Sequence, residues 1–389
     1  MFKPGNGAFP PALTGREREQ AVLTRSLADL SAGEAPPHDI VLTGPRGNGK
    51  TVLLHWFERA CRDAGGVDVE RISPSEVRTG EALVGRLLPP TGIRKLLPAR
   101  LSVGVTGVGR AEWPASGPSE RSLTKGLVAR CRRRPLVVLV DEAHTLDLDV
   151  GRLLLNASQD VRADAPFLLI LAGTPGLAEH LGAMNASFWD RLDDGCLGIG
   201  LLSDTAARAA LVEPLAAHDV TIDTEALDAV VEDSQHYPYF IQIWGRALWR
   251  QRTTTGATHL TAVHSSAARR DVVTRVADYY ERRYLELDRS GHLAVAEHVA
   301  AKARRGPTLT YEELKAAVAE GLAPPDPPRQ AVHEALDDLQ RLGFVWRPPG
   351  QAPPARYEPG IPSLMDHVLA HASPSPRAGA SATPGVHDR

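Results

Sequence analysis

Apolar positions change their rhythm several times along the chain. Between residues 15 and 30, Val22, Leu23, Leu27 and Leu30 recur at helical spacing and predict an amphipathic helix. A polar, proline-rich break follows, then Ile40-Val41-Leu42-Thr43, a glycine-rich loop and a second helix over about residues 50–64. Residues 136–140 (Leu-Val-Val-Leu-Val) and 167–172 (Phe-Leu-Leu-Ile-Leu-Ala) are apolar throughout. They lack the alternation of a half-exposed strand, so both read as strands covered on both faces. Strand, glycine loop and helix form the βα opening of a parallel-sheet domain. Residues 101–110 alternate, with glycines nearby, and predict an exposed hairpin inserted before the second core strand.

From about residue 205 to 260 the pattern is helical, its apolar face supplied by Leu211, Val212, Leu215, Leu227, Val230, Val231 and positions within 240–249. Further helices are predicted over 293–303, 311–320 and 329–342. After them come Gly343-Phe344-Val345-Trp346, a Pro/Gly turn and Arg356-Tyr357-Glu358. Three helices followed by a two-stranded ribbon is the layout of a winged helix-turn-helix. Residues 373–389 are mainly Ala, Ser, Pro and Gly and read as disordered.

The 389 residues include 44 Lys plus Arg against 47 Asp plus Glu, a formal charge of −3. That excludes a polybasic nucleic-acid coat but leaves room for a local basic face. Cys61, Cys131 and Cys196 have neither CxxC nor CxxH spacing, so reduced structural thiols are expected. With no apolar leader and no run of about 18 apolar residues, a soluble cytoplasmic protein is expected.

Candidate chemistry concentrates in the first half. Gly44-Pro45-Arg46-Gly47-Asn48-Gly49-Lys50-Thr51 satisfies G-x-x-x-x-G-K-[ST], with the required strand before it and helix after it. Glycines let backbone N–H groups curl toward phosphate oxygens, and the helix starting at Lys50 adds the positive end of its dipole. Lys50 is expected on the β and γ phosphates of ATP and the Thr51 hydroxyl on Mg²⁺. Asp141 and Glu142 end the apolar run 136–140, at the active edge of a parallel sheet. Asp141 is expected to hold Mg²⁺ through water and Glu142 to act as general base on the attacking water. Thr174 ends the neighbouring run and offers a hydroxyl to that water or to the γ-phosphate.

In this order the residues resemble the AAA+ ATPases, and within them the branch of origin-recognition-type initiators and STAND-like archaeal and bacterial ATPases, over about residues 13–370. The resemblance implies that Leu13-Thr14-Gly15-Arg16-Glu17-Arg18-Glu19 is the entry motif lining the adenine pocket, with Gly15 and Arg16 as its cofactor-binding residues. It places Arg191 as an arginine finger reaching a neighbouring subunit's site, the alternative being a surface arginine paired with Asp190 or Asp194. Residues 234–242 resemble the branch's lid motif, but Tyr237-Pro238-Tyr239 stands where many members carry a sensor arginine. That departure points to slow turnover rather than a motor. Asp141-Glu142-Ala143-His144 also spells the DEAH of a helicase class. The chain after Ser203 lacks the second set of buried strands such an enzyme needs, and His144 reads as a local hydrogen-bonding residue.

The resemblance implies an α/β P-loop NTPase core with a three-layer parallel sheet, a helical lid and a winged helix. The expected boundaries are 1–12 for a flexible lead-in, 13–203 for the AAA+ domain, 204–264 for the lid, 265–372 for the winged helix and 373–389 for the tail. A winged helix puts its third helix in a major groove, and Arg329, Gln330 and His333 would face DNA. Glu334, Asp337 and Asp338 share that helix and repel phosphates. Tyr279, Tyr280 and Tyr284 read as packing residues, and Arg282-Arg283 as a solvated face. The expected function is Mg²⁺-dependent ATP hydrolysis driving a conformational or assembly switch. Two alternatives stand beside it: an ATP-loaded duplex-DNA binder, and a non-hydrolysing nucleotide switch with a protein partner.

Overall fold

The computed structural model describes residues 2–5, 9–88, 119–306, 308–351 and 354–372. The expected hairpin at 101–110 and tail at 373–389 lie outside the described residues.

The first half is built on strands β1 (Ile40–Thr43), β2 (Asp68–Ile72), β3 (Leu136–Val140), β4 (Phe167–Gly173) and β5 (Cys196–Gly198). All pairings are parallel, in the order β2-β3-β4-β1-β5. Every residue of β1, β3 and β4 is buried. Successive side chains point to opposite faces, and the core divides accordingly. Val41, Val138, Val140, Leu169 and Leu171 enter one apolar cluster. Ile40, Leu42, Val137, Leu139, Leu168 and Ile170 enter the other, with Leu53, Leu54 and Phe57. Covered faces on both sides explain the unbroken apolar runs.

Helices α1 (Glu17–Ser31), α2 (Lys50–Ala64), α3 (Gly80–Leu87), α4 (Glu120–Cys131), α5 (Leu148–Asp164) and α6 (Leu177–Met184) flank the sheet. Strand β2 is an edge, and its Asp68 and Glu70 carboxylates pair with Arg134 (3.0 Å) and with Arg130 of α4 (2.8 Å).

The second half contains α7 (Asp204–Ala216), β6 (Thr221–Ile222), α8 (Thr224–Ser234), α9 (Pro238–Thr255), β7 (His259–Leu260) and the 28-residue α10 (Ala262–Arg289). It continues through α11 (Leu293–Ala303), β8 (Leu309–Thr310), α12 (Tyr311–Gly321), α13 (Arg329–Arg341), β9 (Val345–Trp346), β10 (Arg356–Pro359) and α14 (Leu364–His371). The expected two-stranded ribbon gains a third strand, giving an antiparallel sheet in the order β8-β10-β9. Helix α14, which was not predicted, closes the described chain. A single buried cluster runs from Leu202 through α9 and α10 to Val368, so the regions expected as a separate lid and winged helix share a core. Phe2, in the lead-in read as flexible, belongs to that cluster because its ring seats against Gly245 of α9.

The C-terminal sheet and α13 pack back on the first half of the chain. A Cβ on Gly198 of β5 would lie 2.5 Å from Pro349, and one on Gly176, just before α6, 3.1 Å from the Arg341 backbone.

Candidate active site

The loop between β1 and α2 turns through left-handed glycines, Gly47 at φ +82° and Gly49 at φ +95°, which side-chain-bearing residues rarely adopt. A Cβ at Gly47 would also strike the Tyr237 hydroxyl. Lys50 is buried at the start of α2, and its ammonium donates to the carbonyls of Gly44 (2.7 Å) and Pro45 (2.8 Å). Burial brings the Lys50 pKa down to about 8. Asn48 is buried and donates to Ile199 O (2.9 Å), tying the loop to the segment after β5.

Arg16, at the head of α1, is buried and donates to Asn48 O (3.1 Å) and Gly200 O (2.6 Å). Burial lowers its pKa, though the guanidinium stays charged. Gly15, Arg16 and the phosphate loop therefore form one assembly, and Leu13, Thr14 and Arg16 line the same cleft as residues 46–52.

Just after β3, Asp141 accepts from the Glu142 backbone N–H (3.0 Å) and from Arg71 of β2 (3.0 Å). Glu142 takes a left-handed backbone, φ 52°, and its half-exposed carboxylate lines the cleft with Lys50 and Thr51. His144 places Nε2 3.4 Å from that carboxylate, while Nδ1 accepts from Thr174 N–H (3.4 Å). Burial, reinforced by Arg46 and Lys50, pushes the His144 pKa down to about 4, so the ring is neutral near pH 7. Thr174 is itself buried, and its hydroxyl has no hydrogen-bond partner. Thr174 follows β4, which lies between the strands ending at Thr43 and Val140.

Residues 12–171 match the AAA ATPase domain family. Over those residues the chain is similar to an AAA ATPase domain. Over 95% of the chain and 99% of its own length, the Walker-type ATPase of Pyrococcus abyssi is similar in fold, with TM-score 0.60 and 16% identity. The ORC2 protein of Aeropyrum pernix, described as ADPNP–ADP complexes, is similar over 94% of this chain and 96% of that one, with TM-score 0.52 and 15% identity. An uncharacterized protein of Rhizobium meliloti (strain 1021) is 27% identical over 230 residues, 59% of this chain. The chain spans 20% of the length of that curated relative. The expected AAA+ core and its likeness to origin-recognition-type proteins hold at the level of fold.

The AAA domain supplies one wall of a cleft of about 370 Å³, and the other comes from α9 and α10, through Pro238, Tyr239, Gln242, Tyr279, Arg282 and Arg283. Arg282 and Arg283, read from sequence as a solvated face, line the cleft, because α10 crosses over the phosphate loop. The Arg283 guanidinium lies over the Tyr279 ring (5.3 Å) and pairs with Glu286 (2.6 Å), which also lies 3.9 Å from Arg46 of the loop. Tyr237 is fully buried. Its hydroxyl bonds the Arg46 carbonyl and lies 2.9 Å from that of Tyr279. The sequence signal for this contact was a stripe, Tyr279, Arg283 and Glu286 at i, i+4 and i+7 on one helix face.

Arg191 lies outside the cleft. It is exposed on the turn Trp189–Arg191 and donates to Ser187 O (2.9 Å) and the Ser187 hydroxyl rather than pairing with Asp190 or Asp194. The residues present suit Mg²⁺ and ATP: an orphaned buried hydroxyl at Thr174, a buried ammonium at Lys50 and hard oxygen donors on Thr51 and Asp141. Among the described residues, no helix is long and apolar enough to cross a membrane.

Proposed function

We propose that the protein binds Mg²⁺-ATP in this cleft and hydrolyses it slowly, and that nucleotide state sets how the C-terminal module sits on the AAA domain. The reading is carried by one juxtaposition: Lys50 and Glu142 face the same cleft as Arg282 and Arg283 of α10. In it, Lys50 and the loop N–H groups hold the β and γ phosphates, while Thr51 and Asp141 would hold Mg²⁺. The metal would neutralise phosphate charge. Glu142 takes the proton from the attacking water, His144 orients that carboxylate, and the Thr174 hydroxyl meets the water or the γ-phosphate. Gly15 and Arg16 shape the adenine side. Arg282 and Arg283 supply the cations that Tyr237-Pro238-Tyr239 does not, from a different helix.

Arg191 would act on a phosphate only in another copy of the chain. Duplex DNA remains the second reading, favoured by the exposed positions of Arg329, Gln330 and His333 on α13. Against it, β9 and the following turn lie on the AAA domain rather than standing free.

The test is ATP turnover by purified protein at several concentrations, with and without duplex DNA, for wild type, Glu142→Gln and Lys50→Ala. Glu142→Gln should lose at least a hundredfold in kcat while retaining ATP affinity, whereas Lys50→Ala should lose binding. Unchanged turnover in Glu142→Gln would remove Glu142 as the base. Specific activity rising with concentration would support Arg191 in trans, and stimulation by DNA would favour the second reading.

A further inference from the structure

Away from the cleft, α14 packs against α10 and brings together three side chains that the proposed ATPase does not use. We propose that Glu281, His367 and His371 form a binding site for one divalent transition-metal ion of the zinc class, clasping α14 to α10.

One ligand atom from each of the three residues lies within 4.8 Å of the others. His367 and His371 are four residues apart on α14, so they share a helix face, with ring centroids 4.2 Å apart. His367 Nε2 sits 3.6 Å from the Glu281 carboxylate and has no hydrogen-bond partner, although it is shielded from solvent. A buried nitrogen left without a partner is unfavourable, and a shared cation would give it one. His371 Nδ1–H donates to the His367 carbonyl (2.8 Å), which fixes the tautomer and leaves the lone pair on Nε2. Metal-binding imidazoles are commonly oriented in this way. The rings of Tyr280 and Tyr284 stand 5.5 and 6.1 Å from that of His367 and wall the site.

The donor set selects the ion. Two imidazoles and one carboxylate suit Zn²⁺, Co²⁺ or Ni²⁺, whereas Mg²⁺ and Ca²⁺ prefer all-oxygen shells. Bonds of about 2.0–2.1 Å in a tetrahedron put ligand atoms about 3.4 Å apart, so the cluster needs to contract by little more than 1 Å. Three protein ligands leave the fourth position to water. Glu281 directly precedes Arg282 and Arg283, so the ion would hold α10 beside the cleft without touching nucleotide.

Full-length protein stripped with EDTA is titrated with Zn²⁺ against a chromophoric chelator, and with Co²⁺ followed by visible absorption. Wild type should bind one equivalent at micromolar affinity or tighter, with tetrahedral Co²⁺ bands, and Zn²⁺ should raise its melting temperature. His371→Ala changes an exposed residue at the end of α14 and should fold normally, but it should bind at least tenfold more weakly and lose the Zn²⁺-dependent rise in melting temperature. Glu281→Gln, also exposed, should behave in the same direction. Equal binding by wild type and both variants, or wild-type affinity no tighter than millimolar, would overturn the site. Neither result depends on ATP hydrolysis.

Discussion

His144 shows how one buried side chain ties the ends of two strands together. It touches Glu142 through one ring nitrogen and the Thr174 backbone through the other. Its folded-state pKa of about 4 lies below the ordinary 6.5. Between those values the folded protein therefore binds fewer protons than the unfolded chain. The stability held in the neutral ring is complete above about pH 6.5 and is lost as pH falls toward 4. Replacing His144 by Asn keeps an acceptor for Thr174 N–H and removes the titration. Denaturant unfolding from pH 7 to 4 should show wild type losing on the order of 3 kcal/mol more than His144→Asn across that window. Parallel curves would remove His144 as an acid-sensitive contact.

At the scale of elements, α10 carries the part of the site that sequence did not reveal. Truncating Arg283 removes a cation that faces the cleft and is held by Tyr279 and Glu286. A charge-assisted contact contributes about 1.5–3 kcal/mol, so Arg283→Ala should weaken ATP binding roughly 10- to 100-fold in a nucleotide titration, with melting temperature little changed. Undiminished affinity would return Arg283 to a packing role. Strands β1, β3 and β4 were legible because burial on both faces leaves an apolar run. Strand β2 was not, since an edge strand satisfies Asp68 and Glu70 by ion pairs and so looks polar. Strand β5 is three residues long and too short to show a period. The phosphate loop was legible because its chemistry is local. Arg282 and Arg283 were not, because a helix face that meets a cleft has the same polar pattern as one that meets water.

At the scale of the whole molecule, the C-terminal module is docked. Buried Gln340, with Asp337, faces Glu179 of α6, whose carboxyl is pushed up by burial, while Pro349 and Trp346 cover Gly198 and Gly200. A larger side chain at position 198 has no room against the rigid Pro349 ring. Gly198→Val should pry the sheet off the AAA domain, seen as a larger radius of gyration in solution scattering without loss of secondary structure. An unchanged radius would mean that the contact does not hold the two halves together. The docked arrangement also gives α10 an unusual place. Tyr279, Arg283 and Glu286 face the phosphate loop and cleft, while Tyr280 and Tyr284, about 100° round the same cylinder, stack on the histidines of α14. Both surfaces fall within about two turns. News of the nucleotide would have no distance to travel: a slight roll of one helix about its own axis would be felt on both sides at once, as with a gear between two racks.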